Sequence, residues 1–371
     1  MAGKIGKRYR DAGKRRDGGL PFHRRHRKLI VALLSFVIVV PIVGGAAYAY
    51  VLNSKLNHVA KISTHKLKEK DRPDPDKGKA LNILLLGSDK GKKIPGESQN
   101  TTISQDAKAA KWPTGKYRSD TLMVVHISAD RKSVSLTSIP RDTFTMLYNA
   151  NGVATHQEKI NAAFSEYGPL GTISTVEHLT NLRMKHLAII DWAGFKDLST
   201  AVGGVPVDIP YNTYDSAQHV QWNKGHYVLK GTKALQYVRQ RHGLLRGDFD
   251  RINRQQNFLR ALMNKILAKG TTHSPVKLVK TVSALTANLT VDGDWTAGDM
   301  RGLALSMRGI QSKNVTFLTA PIAGTETVPV YGSIVRLQAA QTQELFTDLR
   351  NDDLKAYLTK YPDAALKTQV S

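Results

Sequence analysis

The chain has 371 residues, of which 41% are hydrophobic, and this length allows one large domain or two smaller ones. It has no cysteine, which excludes disulfide bonds, thiolate catalysis and cysteine-ligated metal sites. The formal net charge of +24 predicts anionic partners, which are nucleic acid, anionic lipid or a phosphate-rich polymer.

The first 52 residues have the pattern of a membrane anchor. Residues 1–28 are rich in Lys and Arg, and residues 29–52 contain no charged side chain. An apolar run of this length crosses a bilayer as one helix, and a basic flank stays in the cytoplasm. The run is too long for a cleaved signal peptide. We therefore predict a cell-membrane protein with a basic cytoplasmic tail over 1–28 and a transmembrane helix over 29–52.

This topology places everything after about residue 53 outside the cell, where nucleic acid is scarce. It therefore disfavours nucleic acid as a partner and favours the membrane and the phosphate-bearing polymers and lipids of the envelope. The segment 53–79 is polar and holds Pro73 and Pro75, which indicates an extracellular stalk.

From residue 80 onward, short apolar runs typical of buried strands alternate with runs typical of helices, which predicts an α/β fold with a mixed sheet flanked by helices. We expect a main domain over 80–270 and a C-terminal α/β completion and tail over 271–371. The lysine-rich and glycine-rich segment 90–117 is predicted to be an exposed loop. Strands are predicted at 82–87, 121–127, 133–139, 187–191, 205–209 and 315–318, and helices at 161–167, 170–182, 195–202, 232–238, 249–269 and 337–349.

Polar clusters follow or precede three of the predicted strands. They contain Asp89, then Arg118 and Asp120, then Arg141 and Asp142. Because ligands of open α/β sheets bind at strand ends, Asp89 and Asp120 are expected to meet there. Two carboxylates beside phosphate oxygens suit Mg²⁺. Taken singly, each aspartate is better explained as a cap of a turn or helix.

A second cluster is dominated by arginine. Arg239 and Arg241 are two residues apart and point the same way in extended chain, whereas Arg251, Arg254 and Gln255 are spaced to share one helix face. Crowded guanidinium groups repel one another unless an anion neutralises them, and their forks match phosphate oxygens. The cluster therefore predicts a phosphate site.

The alternative to a phosphate site is a solvated basic face on which Asp248 and Asp250 serve as counter-ions. Other chemistries lack their motifs, because the sequence has no P-loop, no dinucleotide-binding glycine pattern, no Gly-x-Ser-x-Gly and no histidine spacing of a zinc enzyme. We interpret four histidines as surface or core residues rather than ligands: His156, His178, His186 and His242.

These residues lie in stretches that resemble the LytR-CpsA-Psr (LCP) family of Gram-positive envelope phosphotransferases. The stretches follow one another in the family's order and are specific together. They are NILLLGSD (82–89), RSDTLMVVHI (118–127), SIPRDT (138–143), KINAAF (159–164), residues 175–210, and LKGTKALQYVRQRHG with GDFDRINRQQ (229–256). On this resemblance the segment 80–270 is the catalytic domain of an LCP-like fold.

The resemblance implies a Mg-dependent phosphotransferase of cell wall biogenesis. Such an enzyme moves an anionic glycopolymer, for example teichoic acid, from a polyprenyl-pyrophosphate carrier to peptidoglycan through a phosphodiester bond. Asp89 and Asp120 would hold Mg²⁺, with Mn²⁺ as an alternative, and the apolar elements between 160 and 210 would line a groove for the polyprenyl chain. The pyrophosphate would be bound by Arg118, Arg141, Lys159, Arg239, Arg241, Arg251 and Gln255.

Several points stay open at this stage. The base that takes the acceptor's proton is either Asp142 or a metal-site carboxylate, and Arg141 serves contact or activation. The chain departs from the family's usual pattern at Asp250, where a small residue is common, and at Trp192, which we predict to be a core residue replacing phenylalanine.

Two other functions compete with transfer. With water as acceptor the same site would be a pyrophosphate hydrolase. A non-catalytic transcriptional attenuator or signalling anchor is the third possibility, although the basic tail is more simply a topology signal that contacts anionic lipid.

Overall fold

The computed structural model describes residues 49–64, 67–76, 78–90, 101–109, 112–268 and 274–366, with only the backbone for Asp89 and Lys90. The chain divides into a first unit over Met1–Tyr50 and a second unit over Val51–Ser371. The predicted cytoplasmic tail and all but the last four residues of the predicted transmembrane helix lie outside the described residues. In the described ranges, no helix combines the length and apolar character needed to span a bilayer.

The second unit contains both strands and helices throughout its length. Its helices are Ile103–Asp106 (α1), Asn161–Thr180 (α2), Trp192–Ala201 (α3), Gly231–Arg239 (α4), Asp248–Leu267 (α5), Pro275–Ala287 (α6), Ala297–Ser306 (α7), Ala339–Arg350 (α8) and Leu354–Lys360 (α9). Its strands are Ala60–Ile62 (β1), Leu81–Lys90 (β2), Tyr117–Ile127 (β3), Val134–Ile139 (β4), Phe144–Tyr148 (β5), Ala154–Lys159 (β6), His186–Asp191 (β7), Val205–Ile209 (β8), Thr213–Asp215 (β9), Val220–Trp222 (β10), Gly225–Leu229 (β11), Leu289–Asp292 (β12), Val315–Thr319 (β13), Ile322–Val328 (β14) and Gly332–Leu337 (β15).

A seven-stranded sheet forms the centre of this unit, in the order β1-β12-β7-β2-β3-β4-β13. The neighbours β2, β3 and β4 are antiparallel, whereas β2 runs parallel to β7 and β13 runs parallel to β4. The predicted mixed sheet is therefore confirmed. Strand β1, from the segment predicted as a stalk, forms one edge, and β12 and β13 come from the C-terminal segment.

The sheet is buried on both faces because its central strands are apolar at successive positions. On one face Leu84 and Leu86 pack with Phe164 of α2 and with α8, and on the other face Ile83 and Met123 pack towards α5 and α7. Successive side chains of a strand point to opposite faces, so one apolar run supplies both layers. Each such side chain contributes about 1.5–3 kcal/mol to folding when fully buried.

Helix α2 consists of two helical segments that meet at a kink, in agreement with the two helices predicted at 161–167 and 170–182. Gly168 inside it has φ 71° and ψ −164°, and Pro169 follows, so the helical hydrogen bonding is interrupted at this point. A Cβ on Gly168 would lie 2.8 Å from the Trp112 ring, so a side chain does not fit there without displacement. The kink sets the entrance of an apolar pocket described below.

Candidate active site

A cleft of about 380 Å³ opens beside β3 and the ends of α4 and α5. Six of the residues predicted from the sequence line it together, which are Asp120, Arg141, Arg239, Arg241, Arg251 and Gln255. The remaining lining residues are Trp192, Asp215, Ala217, Gln218 and His242. The cleft therefore combines four guanidinium groups with two carboxylates, of Asp120 on β3 and of Asp215 on β9.

A β-bulge aims Asp120 into this cleft. In the pairing of β2 with β3, Thr121 lies opposite Gly87 and Ser119 lies opposite Ser88, so Asp120 is the extra residue. An extra residue reverses the alternation of faces at that point. Asp120 and Thr121 are consequently both half-buried on the cleft side, and the Thr121 hydroxyl donates to Gln255 Oε1 at 3.3 Å.

Arg141 follows β4 and is surrounded by carboxylates. Its Nη1 donates to Asp120 Oδ1 at 2.5 Å, and its Nε lies 3.6 Å from Asp142 Oδ2 and 4.0 Å from Asp248 Oδ1. Burial alone lowers the pKa of the Arg141 guanidinium, but these three carboxylates outweigh burial and raise the pKa above its usual value. The residue is therefore a permanent cation at the base of the cleft.

Asp248, at the start of α5, is the buried counter-charge of the arginine cluster. Its Oδ1 lies 2.7 Å from Arg251 Nη2 and 3.8 Å from Arg241 Nε. Burial, together with the charge of Arg141, lowers the pKa of the Arg251 guanidinium. The cleft thus holds more positive charge than its own acidic groups neutralise, which is the electrostatic state that favours an anion.

Trp192 is not a core residue as predicted, because it lies at the N-terminus of α3 and lines the cleft. The guanidinium of Arg239 lies over its ring, 5.2 Å from the ring centre. An arginine on an aromatic face is held in one orientation. The tryptophan therefore orients Arg239 towards the cleft.

Arg254 and Gln255 point in different directions, although their spacing predicts one helix face with Arg251. Gln255 lines the cleft and donates through Nε2 to the Val238 carbonyl at 3.3 Å. Arg254 donates to Gln240 Oε1 at 2.5 Å and lies over Tyr237, outside the cleft. It is a structural residue that fixes the segment between α4 and α5.

The other predicted residues lie beside the cleft rather than along it. Lys159 at the end of β6 lies 3.7 Å from Asp142, so these two groups and Arg141 form one chain of charges. Arg118 is exposed on β3, and its backbone pairs with that of Asp89 at the end of β2. The side chain of Asp89 lies outside the described residues.

Among the described residues, Asp120 is the one predicted metal ligand whose side chain can be compared with the needs of a hard divalent cation. Its Oδ1 is engaged by Arg141, whereas its Oδ2 accepts no hydrogen bond from the residues that the structure describes. The carboxylate is 19% exposed, so it is accessible from the cleft. A carboxylate beside a phosphate site is the usual protein contribution to Mg²⁺ binding.

The sequence prediction gives no site role to several residues that line the cleft, among them Asp215, Gln218 and His242. His242 directly follows Arg241, whereas no spacing rule links Asp215 or Gln218 to the arginines. Asp248 appears in the sequence prediction only as a counter-ion, in the alternative that makes the arginine cluster a solvated basic face. Its position three residues before Arg251, at the start of a helix, is the signal that identifies it.

An apolar pocket of about 150 Å³ lies at the kink of α2. Tyr167, Pro169 and Leu170 line it from the helix, within the 160–210 region predicted to hold a lipid chain. They are joined by Ile62, Asp106, Ala107, Ala109, Trp112 and Ala150. The pocket accommodates a short hydrocarbon segment only, in this arrangement of the side chains.

Comparison with known proteins identifies close relatives of this architecture. The model of the LytR_cpsA_psr family matches residues 48–351. The chain is 31% identical over 293 residues to the cell wall biosynthesis protein LcpA of Corynebacterium glutamicum, which covers 72% of this chain and 55% of LcpA. It thus spans about half the length of that relative.

Two further relatives are covered more fully. The chain is 31% identical over 255 residues to the polyisoprenyl-teichoic acid–peptidoglycan teichoic acid transferase TagU of Bacillus cereus, which covers 67% of this chain and 73% of TagU. The crystal structure of B. subtilis TagV matches with a TM-score of 0.58 and 26% identity, over 75% of this chain and 98% of that chain.

Proposed function

Because the chain belongs to the LytR_cpsA_psr family, we propose that it transfers an anionic glycopolymer from a polyprenyl-pyrophosphate carrier to peptidoglycan. The name of TagU states this kind of transfer for that relative. The observation that carries the proposal is the convergence of Arg141, Arg239, Arg241 and Arg251 on the cleft that also contains Asp120. This arrangement suits a substrate with a multiply charged phosphate group.

Electrostatics supports a pyrophosphate rather than a neutral ligand. Burial is the main cause of the lowered pKa of Arg251, and the repulsive charge of Arg141 lowers the pKa further. A pyrophosphate placed between these arginines relieves the repulsion and accepts several hydrogen bonds from each guanidinium fork. Binding energy is thereby concentrated on the group that reacts.

The proposed reaction is a phosphoryl-centre substitution. The oxygen of a peptidoglycan hydroxyl forms a bond to the phosphorus attached to the glycopolymer, and the bond from that phosphorus to the bridging oxygen breaks. Polyprenyl phosphate leaves with the electron pair of that bond. The arginines neutralise the charge on the transferred group and on the leaving phosphate, which is the main source of catalysis in such reactions.

For the metal we propose Mg²⁺, with Mn²⁺ as the alternative, held by Asp120 together with Asp89. When bound there, the ion would supply further charge neutralisation on the pyrophosphate oxygens. Asp120 supports this assignment because one of its oxygens faces the cleft without a described partner.

With Asp120 assigned to the metal, we propose Asp142 as the group that accepts the proton of the attacking hydroxyl. Its oxygens lie 3.6 Å from Arg141 and 3.7 Å from Lys159, distances too long for tight hydrogen bonds. The carboxylate is therefore not engaged in a tight hydrogen bond, and the two cations hold it beside Arg141 of the cleft.

The membrane anchor belongs to the same proposal. We infer a single-pass protein with the N-terminus in the cytoplasm, the helix over 29–52 in the cell membrane and the catalytic unit outside. The uncharged run and the basic flank that precedes it support this topology. For the lipid chain of the carrier we propose the apolar pocket at the α2 kink as the point of entrance.

The test uses the full-length chain in detergent with a synthetic polyprenyl-pyrophosphate glycan, peptidoglycan oligomers and Mg²⁺. Mass spectrometry would detect a glycan–phosphate–muropeptide adduct. We expect the adduct from the parent chain, no adduct from Arg141→Ala, and a reduced kcat with little change in KM from Asp142→Asn. Arg246→Ala is the matched control, because Arg246 is 62% exposed and pairs only with Asp250 in the described part of the chain.

Results other than the expected one would distinguish between the competing functions. Free phosphorylated glycan without adduct would replace the transferase by a pyrophosphate hydrolase. Bound lipid without any turnover would favour the attenuator or signalling anchor, whereas deletion of residues 5–25 without loss of activity would exclude that reading. A parent-like adduct from Arg141→Ala would remove the arginine cleft from the mechanism.

A further inference from the structure

Three side chains with metal-ligating atoms converge outside the cleft, where β6 meets α2. His156 and Glu158 are two residues apart on β6 and therefore share one face of the strand, and Glu166 lies in the second turn of α2. One ligand atom from each residue lies within 4.8 Å of the other two. His156 Nε2 and Glu166 Oε2 lie 3.6 Å apart.

Pairing with lysine or arginine does not account for this cluster. Within the described ranges, no such side chain pairs with Glu158 or Glu166, and the ion pair between His156 and Glu166 is longer than a hydrogen bond. The neighbouring Lys159 lies on the opposite face of the strand and contacts Asp142. Two carboxylates are thus brought together with one imidazole in a chain whose net charge is +24.

We propose that His156, Glu158 and Glu166 bind one divalent transition-metal ion of the Zn²⁺ type. An imidazole nitrogen with two carboxylates suits Zn²⁺ and its neighbours, whereas Mg²⁺ prefers oxygen ligands alone. Three protein ligands leave a fourth position for water. All three side chains come from ordered elements of one unit, so the donor set is pre-arranged.

The geometry requires only side-chain rotation to close around the ion. Donor atoms in a tetrahedral zinc site are about 3.4 Å apart when the metal–ligand bonds are about 2.0–2.1 Å long. The observed spacing is up to 4.8 Å, so shifts of about 1 Å suffice. The side chains of His156 and Glu166 are 42% and 27% exposed, which leaves them room to turn.

The ion would join the β5–β6 hairpin to α2. Strand β6 ends at Lys159, whose ammonium group lies beside Asp142, so the ion would fix the strand that carries Lys159 without entering the cleft. This inference is independent of the proposed transferase, because it concerns a different set of ligands and a different class of metal.

The test is calorimetric titration of ZnCl₂ into the metal-free full-length chain, with excess Mg²⁺ present to occupy the carboxylates of the cleft. We expect one Zn²⁺ per chain, and visible absorption bands when Co²⁺ replaces it. His156→Ala, Glu158→Gln and Glu166→Gln should each weaken binding by about tenfold or more. His226→Ala is the control, since His226 forms an exposed pair with Asp208 at 2.8 Å and should leave binding unchanged.

The proposal is overturned by the absence of saturable Zn²⁺ binding, or by parent-like affinity in all three ligand variants. Circular dichroism of each variant identifies any that fails to fold, and the two glutamine substitutions keep the size of the side chain. Weakened binding in those two variants with an unchanged spectrum would therefore support the site even if His156→Ala does not fold.

Discussion

Asp120 Oδ1 and Arg141 Nη1 lie 2.5 Å apart, and this contact joins the predicted metal ligand directly to the predicted phosphate ligand. The pair is partly exposed to the cleft, so its partners are available for exchange when a pyrophosphate and its metal bind. Arg141 would then bind a phosphate oxygen in place of Asp120, and Asp120 would bind the metal ion in place of Arg141. In the free site, Asp120 and Arg141 thus neutralise each other, and both are proposed to contact the substrate complex.

Transfer activity should depend on the shape of the side chain at position 141 as well as on its charge. We expect Arg141→Ala to lower kcat/KM for transfer by about 100-fold or more, which is the size of effect for a lost donor to a developing negative charge. Arg141→Lys should restore only part of the lost kcat/KM. An ammonium group lacks the planar fork with which a guanidinium group contacts three carboxylates and a phosphate. Steady-state kinetics of adduct formation measures both, and equal activity of the lysine variant and the parent would contradict the fork.

Asp248→Asn should destabilise the chain, because Arg141, Arg241 and Arg251 then lose a buried counter-charge. We expect a loss of about 3 kcal/mol in the free energy of unfolding, as for removal of one partner of a buried ion pair. Inorganic pyrophosphate should restore part of that loss by replacing the charge. Urea titration with and without pyrophosphate measures both effects.

The neighbouring Asp250→Asn is the matched control for that experiment. Asp250 pairs with the exposed Arg246, so its loss should change stability by less than about 1 kcal/mol. Equal destabilisation by the two variants would show that the role assigned to Asp248 is mistaken.

Gly243 should be required for the placement of Arg241. Its φ is +77°, and a Cβ there would lie 2.3 Å from the Tyr214 carbonyl oxygen, while its own carbonyl accepts from the Thr213 hydroxyl at 2.7 Å. Gly243→Ala should cost about 1–3 kcal/mol of stability and weaken substrate binding, since Arg241 is two residues away. Gly302→Ala, in open space on α7, should keep both, and similar binding by the two variants would contradict the positioning role.

The buried cluster around Asp106 should make the free energy of unfolding decrease at acidic pH. Asp106 Oδ2 accepts from Lys116 at 2.5 Å and from Tyr117 at 2.7 Å. Burial alone raises the pKa of the Asp106 carboxyl, but these hydrogen bonds and the charge of Lys116 outweigh burial and hold the pKa below 3.8.

A lowered folded-state pKa contributes stability that is present above the unfolded pKa and is lost as the pH falls through the folded pKa. The parent should therefore lose more free energy of unfolding than Asp106→Asn as the pH falls below about 4. Urea titrations at several acidic pH values measure the two slopes, and equal slopes would exclude this contribution.

The sequence predicts the central sheet well because its strands are buried on both faces. Strands β2, β3 and β7 each contain a short apolar run bounded by polar or turn residues, and β4 alternates apolar with small polar residues. The hairpin β5–β6 escapes prediction because its side chains are mostly half-buried or exposed and therefore show no clear apolar pattern. The segment predicted as a stalk contains β1, which is only three residues long and gains its partner from the far end of the chain.

The site is predicted in part for a similar reason. Arg239 and Arg241, as well as Arg251 and Gln255, are close in sequence, so spacing and resemblance indicate their cooperation. The cluster of His156, Glu158 and Glu166 depends on the packing of β6 against α2, which spacing does not reveal. Trp192 is assigned to the core because a large aromatic residue is usually buried, whereas here its face carries Arg239.

The bulge at Asp120 makes chain length in β3 matter as much as residue identity. Deleting one residue between 117 and 119 would remove the extra position and turn the Asp120 carboxylate from the cleft to the face of the sheet that packs under α2. A deletion in the turn 129–132 shifts no cleft residue relative to its strand partners. Natural and engineered variants of this fold should therefore tolerate length changes in the turn after β3, whereas length changes near the bulge at the start of β3 should impair the cleft.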